Sequence, residues 1–135
     1  MTTQVEFLLP PQQAGFHLMT NYIESKLPPL PNTGILHLFI KHTSAALSIN
    51  ENADYTVRLD MQEFFKRHVP AEPYFEHTME GDDDMNAHIK STIIGQSVTI
   101  PITNGKLNLG TWQGIYLCEF RKSGSSRKIV ATIIG

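Results

Sequence analysis

Residues 96–109 read QSVTIPITNGKLNL, and this stretch constrains the fold more than any other. Val98, Ile100 and Ile102 alternate with Thr99 and Pro101, the period-two pattern of a strand with one buried face. Asn104-Gly105 follows at once, and this dipeptide accepts the positive φ values that a two-residue hairpin turn demands. Leu107 and Leu109 then lie on the return strand. A one-residue slip in register would turn the whole isoleucine row toward water, so the C-terminal third is committed to an antiparallel sheet. Two more strands, 115–120 and 128–134, are joined by the turn-rich segment 122–126. The last strand is apolar on both sides, so it is expected to be central or covered at an interface.

Upstream the period changes. Ala53, Val57, Met61, Phe64 and Phe65 share one face of a helix over 52–68, which Pro70 stops. A second helix is expected over 82–94, with Met85, Ile89 and Ile93 as its buried row, aspartates as caps and Gly95 at its C-terminal end. Nearer the N-terminus, 4–9 reads as a strand and 18–27 as a short helix carrying Met19, Tyr22, Ile23 and Lys26. The proline-rich 27–31 is a stiff connection. Residues 35–40 are apolar on both faces, as in a central strand, and deliver His42 to its C-terminal end. The expected architecture is α+β: one domain over 1–135 with a mostly antiparallel sheet and two longer helices.

Composition narrows the function classes. With 135 residues, 41% hydrophobic and 18% charged, the chain can bury the core of one domain. Its apolar runs are too short for a membrane span. Met1 to Leu9 lacks the basic-then-apolar pattern of a secretory signal, so a cytoplasmic location is expected. Cys118 is the only cysteine, which excludes an internal disulfide and multi-cysteine zinc modules. A net charge of -2 removes the general electrostatic reason to expect nucleic acid.

The polar groups with chemical potential fall in a few places. His42-Thr43-Ser44 follows a buried strand, where a rigid scaffold can hold binding groups. Ser44 with His42 as its base lacks the glycine-rich elbow of a serine hydrolase. Asn50-Glu51-Asn52-Ala53-Asp54 gathers more polar groups than a helix cap needs. Asp84 and His88 are four residues apart, so the carboxylate can fix the imidazole's tautomer. If His77 and His88 converge with His42, three imidazoles would make an open divalent-metal site. Glu119 shares a face with Ile115 and Leu117, so an inward carboxylate there needs a histidine, a metal or an arginine as partner. Trp112, between Gly110 and Gly114, would either stack on a flat ring or anchor the core. Lys90, Arg127 and Lys128 would hold a phosphate if they converge, and Cys118 reads as an inert strand thiol. His17, His37 and His68 read as structural.

The runs HTSAALSINENADYTVRLDM, YFEHTMEGDDDMNAHIKSTIIGQS, IPITNGKLNLGTWQGIYLCEF and RKIVATIIG resemble the YjbQ family over nearly the whole chain. The resemblance implies an α+β fold assembled as a homotrimer, with polar motifs near subunit boundaries. It also implies a secondary thiamine-phosphate synthase activity, joining an aminopyrimidine-methyl diphosphate to a thiazole phosphate. The family's histidine motifs fall on His42, His77 and His88, its polar helix start on Asn50, Glu51 and Asp54, and its later motifs on Lys90, Thr111, Trp112, Gln113 and Glu119. Tyr55 stands where the family usually has proline. On this basis His42, His77 and His88 would hold a divalent metal (zinc or magnesium) or contact diphosphate, with Glu51 and Glu119 orienting them. His42, His88, Glu51 and Glu119 form the expected catalytic group. Lys90 would supply phosphate charge and Trp112 ring stacking, with Thr43, Ser44, Asn50, Asp54, Thr111 and Gln113 completing the substrate site. The alternatives are a metal-dependent hydrolase of a small phosphorylated metabolite and a trimeric metabolite-binding module. The question for the structure is whether His42, His77, His88 and Glu119 meet.

Overall fold

The computed structural model describes all 135 residues, Met1–Gly135. In chain order the elements are β1 (Thr2–Leu9), β2 (Gln13–Leu18), α1 (Thr20–Lys26), β3 (Thr33–Ile40), β4 (Ala45–Glu51), α2 (Tyr55–His68), α3 (Asp84–Ile94), β5 (Ser97–Thr103), β6 (Lys106–Leu107), β7 (Gln113–Ser123) and β8 (Arg127–Ile134). The Asn-Gly hairpin is present, with φ of 54° at Asn104 and 74° at Gly105, and it joins β5 to β6. The return strand is only two residues long, so Leu109 lies beyond it.

The strands form two antiparallel sheets rather than one. The larger has the order β1-β8-β3-β5-β6 and the smaller β2-β7-β4. Facing side chains of the two sheets make the main core: Leu36, Leu38 and Ile40 of β3 and Ile129, Ala131 and Ile133 of β8 meet Leu47 of β4 and Ile115 and Leu117 of β7. The other face of the small sheet carries Phe16, Ala46, Tyr116, Cys118 and Phe120, and is covered by Met61 and Phe65 of α2 and Ala87 and Ile94 of α3. The molecule is thus three layers, large sheet, small sheet and helices, with the small sheet in the middle. Cys118 is buried, and burial pushes its thiol up to about 12, so it stays protonated and inert.

Several expectations change. Residues 45–51 form β4, a strand absent from the expected elements: Ala45 and Leu47 face the large sheet and Ala46 the helices, and small residues such as Ala45 and Ala46 give little strand signal. β2, with a bulge at Gly15, has no counterpart among the expected elements. Helix α2 begins at Tyr55, after Asp54, whose carboxylate accepts from the Thr56 backbone N–H at 2.9 Å. On α3 the buried residues are Asp84, Ala87 and Ser91, while Ile93 is 59% exposed. Small residues allow close approach there, and Ser91 Oγ donates to the Ala45 carbonyl at 2.8 Å. The segment 122–126 crosses from the small sheet to the large one, so β7 and β8 are not a hairpin. Strands β3 and β8 are central as expected, but only one face of each is buried. Leu8, Ile35, Phe39 and Ile134 lie 39–49% exposed on the outer face of the large sheet.

Candidate functional site

Asp84 opens α3 with its carboxylate turned into the protein, only 2% exposed. Its Oδ1 accepts from Arg121 Nη1 at 2.7 Å. Its Oδ2 faces two imidazoles, with His77 Nε2 at 2.7 Å and His88 Nε2 at 2.9 Å. Burial by itself would raise the Asp84 pKa, but the His77 hydrogen bond and the charges of His88 and Arg121 outweigh it and hold the carboxyl below its ordinary value. The neighbouring aspartates are not caps. Asp83 makes no side-chain capping bond; it accepts from the Lys122 backbone N–H at 2.8 Å, and Asp82 takes the Lys122 ammonium at 3.0 Å. Arg121 also donates to the Glu80 carbonyl at 3.1 Å, so the loop before α3 is tied to the end of β7.

His88 Nδ1 lies 2.9 Å from the Thr43 carbonyl. A carbonyl oxygen can only accept, so Nδ1 carries a hydrogen. The Nε2 facing Asp84 then needs a second proton or a cation to meet a carboxylate oxygen favourably. One ligand atom each from His77, Asp84 and His88 lies within 4.8 Å of the others. Ligand atoms about 2.1 Å from a shared tetrahedral ion are about 3.4 Å apart, so the two nitrogen–oxygen distances here, 2.7 and 2.9 Å, would open by about half an ångström to take one. The Thr43 carbonyl behind His88 and Arg121 behind Asp84 are the supports such ligands usually have.

His42 is not part of this cluster. Its Nε2 accepts from the Lys128 backbone N–H at 2.8 Å, and its Nδ1 faces Arg127 Nη1 at 3.4 Å. Burial, and then the Arg127 charge, lower its pKa, so the ring is neutral at pH 7. The partner of Glu119 is an arginine. The carboxylate is 1% exposed, Arg127 Nε donates to its Oε1 at 2.8 Å, and Arg127 Nη2 grips its other oxygen. A Cβ at Gly124 would collide with this carboxylate, which is why glycine occupies the turn above it. Ser44 Oγ accepts from Arg127 Nη2 at 3.1 Å, a structural contact rather than nucleophile geometry. His42, Thr43 and His88 nevertheless share the wall of one depression of about 570 Å³, together with Lys41, Thr92 and Gln96.

The remaining expected site residues lie elsewhere. Ala45 pairs with Glu119 at one end of the small sheet and Glu51 with Gln113 at the other, a separation of about 20 Å along the strands. At that far end each polar group closes a local turn. Asn50 Oδ1 accepts from the Glu51 N–H at 2.8 Å, Glu51 Oε2 from the Ala53 N–H at 3.0 Å and Gln113 Oε1 from the Gly110 N–H at 2.8 Å. Asn52 Nδ2 donates to the Thr111 and Gln113 carbonyls at 3.1 and 3.0 Å. Trp112 is 64% exposed, so it is not a core anchor. Lys90 is two residues after His88, about 200° around the helix, and opens into a different cavity. The structure therefore joins His77 and His88 through Asp84, and His42 to Glu119 through Arg127, as two adjacent networks bridged by Thr43. Sequence reasoning missed Arg121 altogether, since its link to Asp84 spans 37 positions and no local pattern marks it.

No helix is long and apolar enough to cross a membrane. Comparison with known proteins matches residues 5–135 to the family model described as UPF0047 protein YjbQ-like. The chain is 53% identical over 123 residues to the UPF0047 protein YjbQ of Salmonella typhimurium, covering 90% of this chain and 89% of that protein. It is 48% identical over 137 residues to the protein of the same name from Escherichia coli O157:H7, covering 100% and 99%. Among crystal structures, a YbjQ-like protein of unknown function from Sulfolobus solfataricus aligns with a TM-score of 0.85 at 25% identity, covering 100% of this chain and 98% of that one. A conserved hypothetical protein from Thermus thermophilus aligns with a TM-score of 0.81 at 31% identity, covering 93% and 97%. The chain belongs to the YjbQ (UPF0047) family.

Proposed function

We propose that the chain is a metal-dependent enzyme acting on a small phosphorylated metabolite, with the divalent cation held by His77, Asp84 and His88. The observation that carries this reading is the single buried carboxylate oxygen facing two imidazole nitrogens at 2.7 and 2.9 Å. Relative to the expected ligand set, Asp84 takes the place of His42, whose nitrogens face Arg127 and Lys128. Two imidazoles with one carboxylate suit zinc or a similar borderline ion better than magnesium, which prefers oxygen ligands.

The donor set favours hydrolysis, because a cation with three protein ligands supplies an open position and an acidified water. Around it, Arg121 holds Asp84 in orientation, Thr43 fixes the His88 tautomer, and Lys41, Thr92 and Gln96 line the depression where a phosphate would rest. The second reading, thiamine-phosphate synthesis, needs a ring-stacking surface that a neighbouring copy must bring, since Trp112 is at the far end of the sheet. Its support is the uncovered apolar face of the large sheet, which suits the homotrimer expected from the sequence. Sedimentation giving a clean monomer would remove that support.

Metal analysis coupled to product detection tests the proposal. About one equivalent of zinc-class metal per chain is expected, lost in His88→Ala and Asp84→Asn and kept in His42→Ala. Phosphate release from one substrate marks hydrolysis; thiamine phosphate made only with both precursors marks the synthase. Full metal content in both His88→Ala and Asp84→Asn would sink the site.

A further inference from the structure

On the other flank of α3 a separate cavity of about 310 Å³ lies between the helices and the small sheet. Its apolar wall is aromatic: Phe16 is 6.0 Å from Phe65 and 6.3 Å from Phe120, centroid to centroid. Lys90 is half-buried in this wall, and its ammonium forms no ion pair or hydrogen bond; its Nζ lies over the Phe120 ring, 5.8 Å from the centroid. The carboxylates nearby are committed elsewhere, Asp83 to Arg121 and the Lys122 backbone, Glu119 to Arg127. Lys66 adds a second positive charge at the rim. One turn before Lys90, Asn86 leaves its buried Oδ1 without a donor.

A half-buried ammonium with no counter-charge is costly. A ligand bringing an anion would remove that cost, and one bringing a ring would fill the aromatic wall. We propose that this cavity is a second binding site, distinct from the His77-Asp84-His88 centre, for a small aromatic anion whose carboxylate or phosphate pairs with Lys90 and whose ring lies against Phe16, Phe65 and Phe120. At 310 Å³ the cavity is at the lower end of the roughly 300–1,000 Å³ range of ligand sites, which limits the ligand to about one ring and one anionic group.

Calorimetric titration of the full-length chain with phenyl phosphate, benzoate, inorganic phosphate and benzyl alcohol tests this. Phenyl phosphate or benzoate should bind at one site per chain, at least tenfold more tightly than inorganic phosphate or benzyl alcohol. Lys90→Met keeps the aliphatic stem and should lower that affinity tenfold or more, while Lys90→Arg should retain it within a few-fold. Chelator treatment should leave the affinity unchanged, which separates this site from the metal centre. If neither aromatic anion binds, if Lys90→Met binds as well as wild type, or if chelation abolishes binding, the site does not exist as described.

Discussion

The Arg127–Glu119 pair is the most demanding electrostatic contact in the molecule, and Arg127→Met tests what it contributes. Both side chains are almost sealed, at 5% and 0% side-chain exposure, and the guanidinium meets both carboxylate oxygens. Removing the arginine leaves Glu119 with one backbone donor, the Arg121 N–H at 3.2 Å, and Gly124 closes the space above it. A buried pair broken in this way costs about 3–5 kcal/mol. The charge can escape by taking up a proton, which at pH 7 costs an ordinary glutamate about 3.7 kcal/mol, at 1.36 kcal/mol per pH unit above a pKa near 4.3. The cheaper route sets the loss, so about 3–4 kcal/mol is expected, a large share of the roughly 5–15 kcal/mol that holds a domain together. Urea denaturation at fixed slope should show it as a lowered midpoint. Because the variant's folded state would carry an extra proton, its deficit against wild type should shrink as pH falls, by up to about 1.4 kcal/mol per unit between pH 7 and 5. Arg127→Met with Glu119→Leu should recover most of the loss. A deficit under about 1 kcal/mol, or one independent of pH, would refute the account of Glu119 as an ion held by Arg127.

Four other expectations follow from the geometry. The Asp84 carboxyl is held below its ordinary pKa, so its contribution is present above pH 3.8 and lost as pH falls through the folded value; acid unfolding of Asp84→Asn should lack that component. The His42 pKa is lowered, so between its folded value and 6.5 the unfolded chain binds the extra proton and stability rises with pH; NMR titration should place the ring's midpoint below 6.5. Gly105→Ala forces a side chain onto φ of 74° and should destabilise by about 1 kcal/mol in thermal unfolding, whereas a neutral result would mean a different turn. On α3, Ala87→Leu should cost about 1–3 kcal/mol and Ile93→Ser less than about 0.5, the reverse of what the hydrophobic row alone suggests.

That reversal shows where sequence reasoning stops. The hairpin, Gly95, the buried Glu119 face and the central β3 were legible because turn chemistry and period-two alternation are local. Strand β4 was not, since Ala46 is small where α3 lies close and Ala45 is small where the two sheets meet, tertiary demands that no propensity records. The aspartates before α3 read as caps because capping is their commonest use. Only the fold reveals that Asp83 and Asp84 reach across to β7. At the candidate site, His77, Asp84 and His88 lie within twelve residues, and helical spacing groups Asp84 with His88, while His77 lies in the loop before the helix. His42 resembles them in residue type alone, and its nitrogens answer to β8.

Strand β7 belongs to both cores: Ile115 and Leu117 face one, Tyr116, Cys118 and Phe120 the other, and Arg121 at its end anchors Asp84. Neither core can therefore come apart while the other stays whole. The chain should melt as one cooperative unit, with the β7 amides exchanging only when the entire molecule opens. Through Arg121 the Asp84 carboxylate, and with it the candidate cluster of His77 and His88, is tied to that strand, so the arrangement should persist until the fold itself is lost.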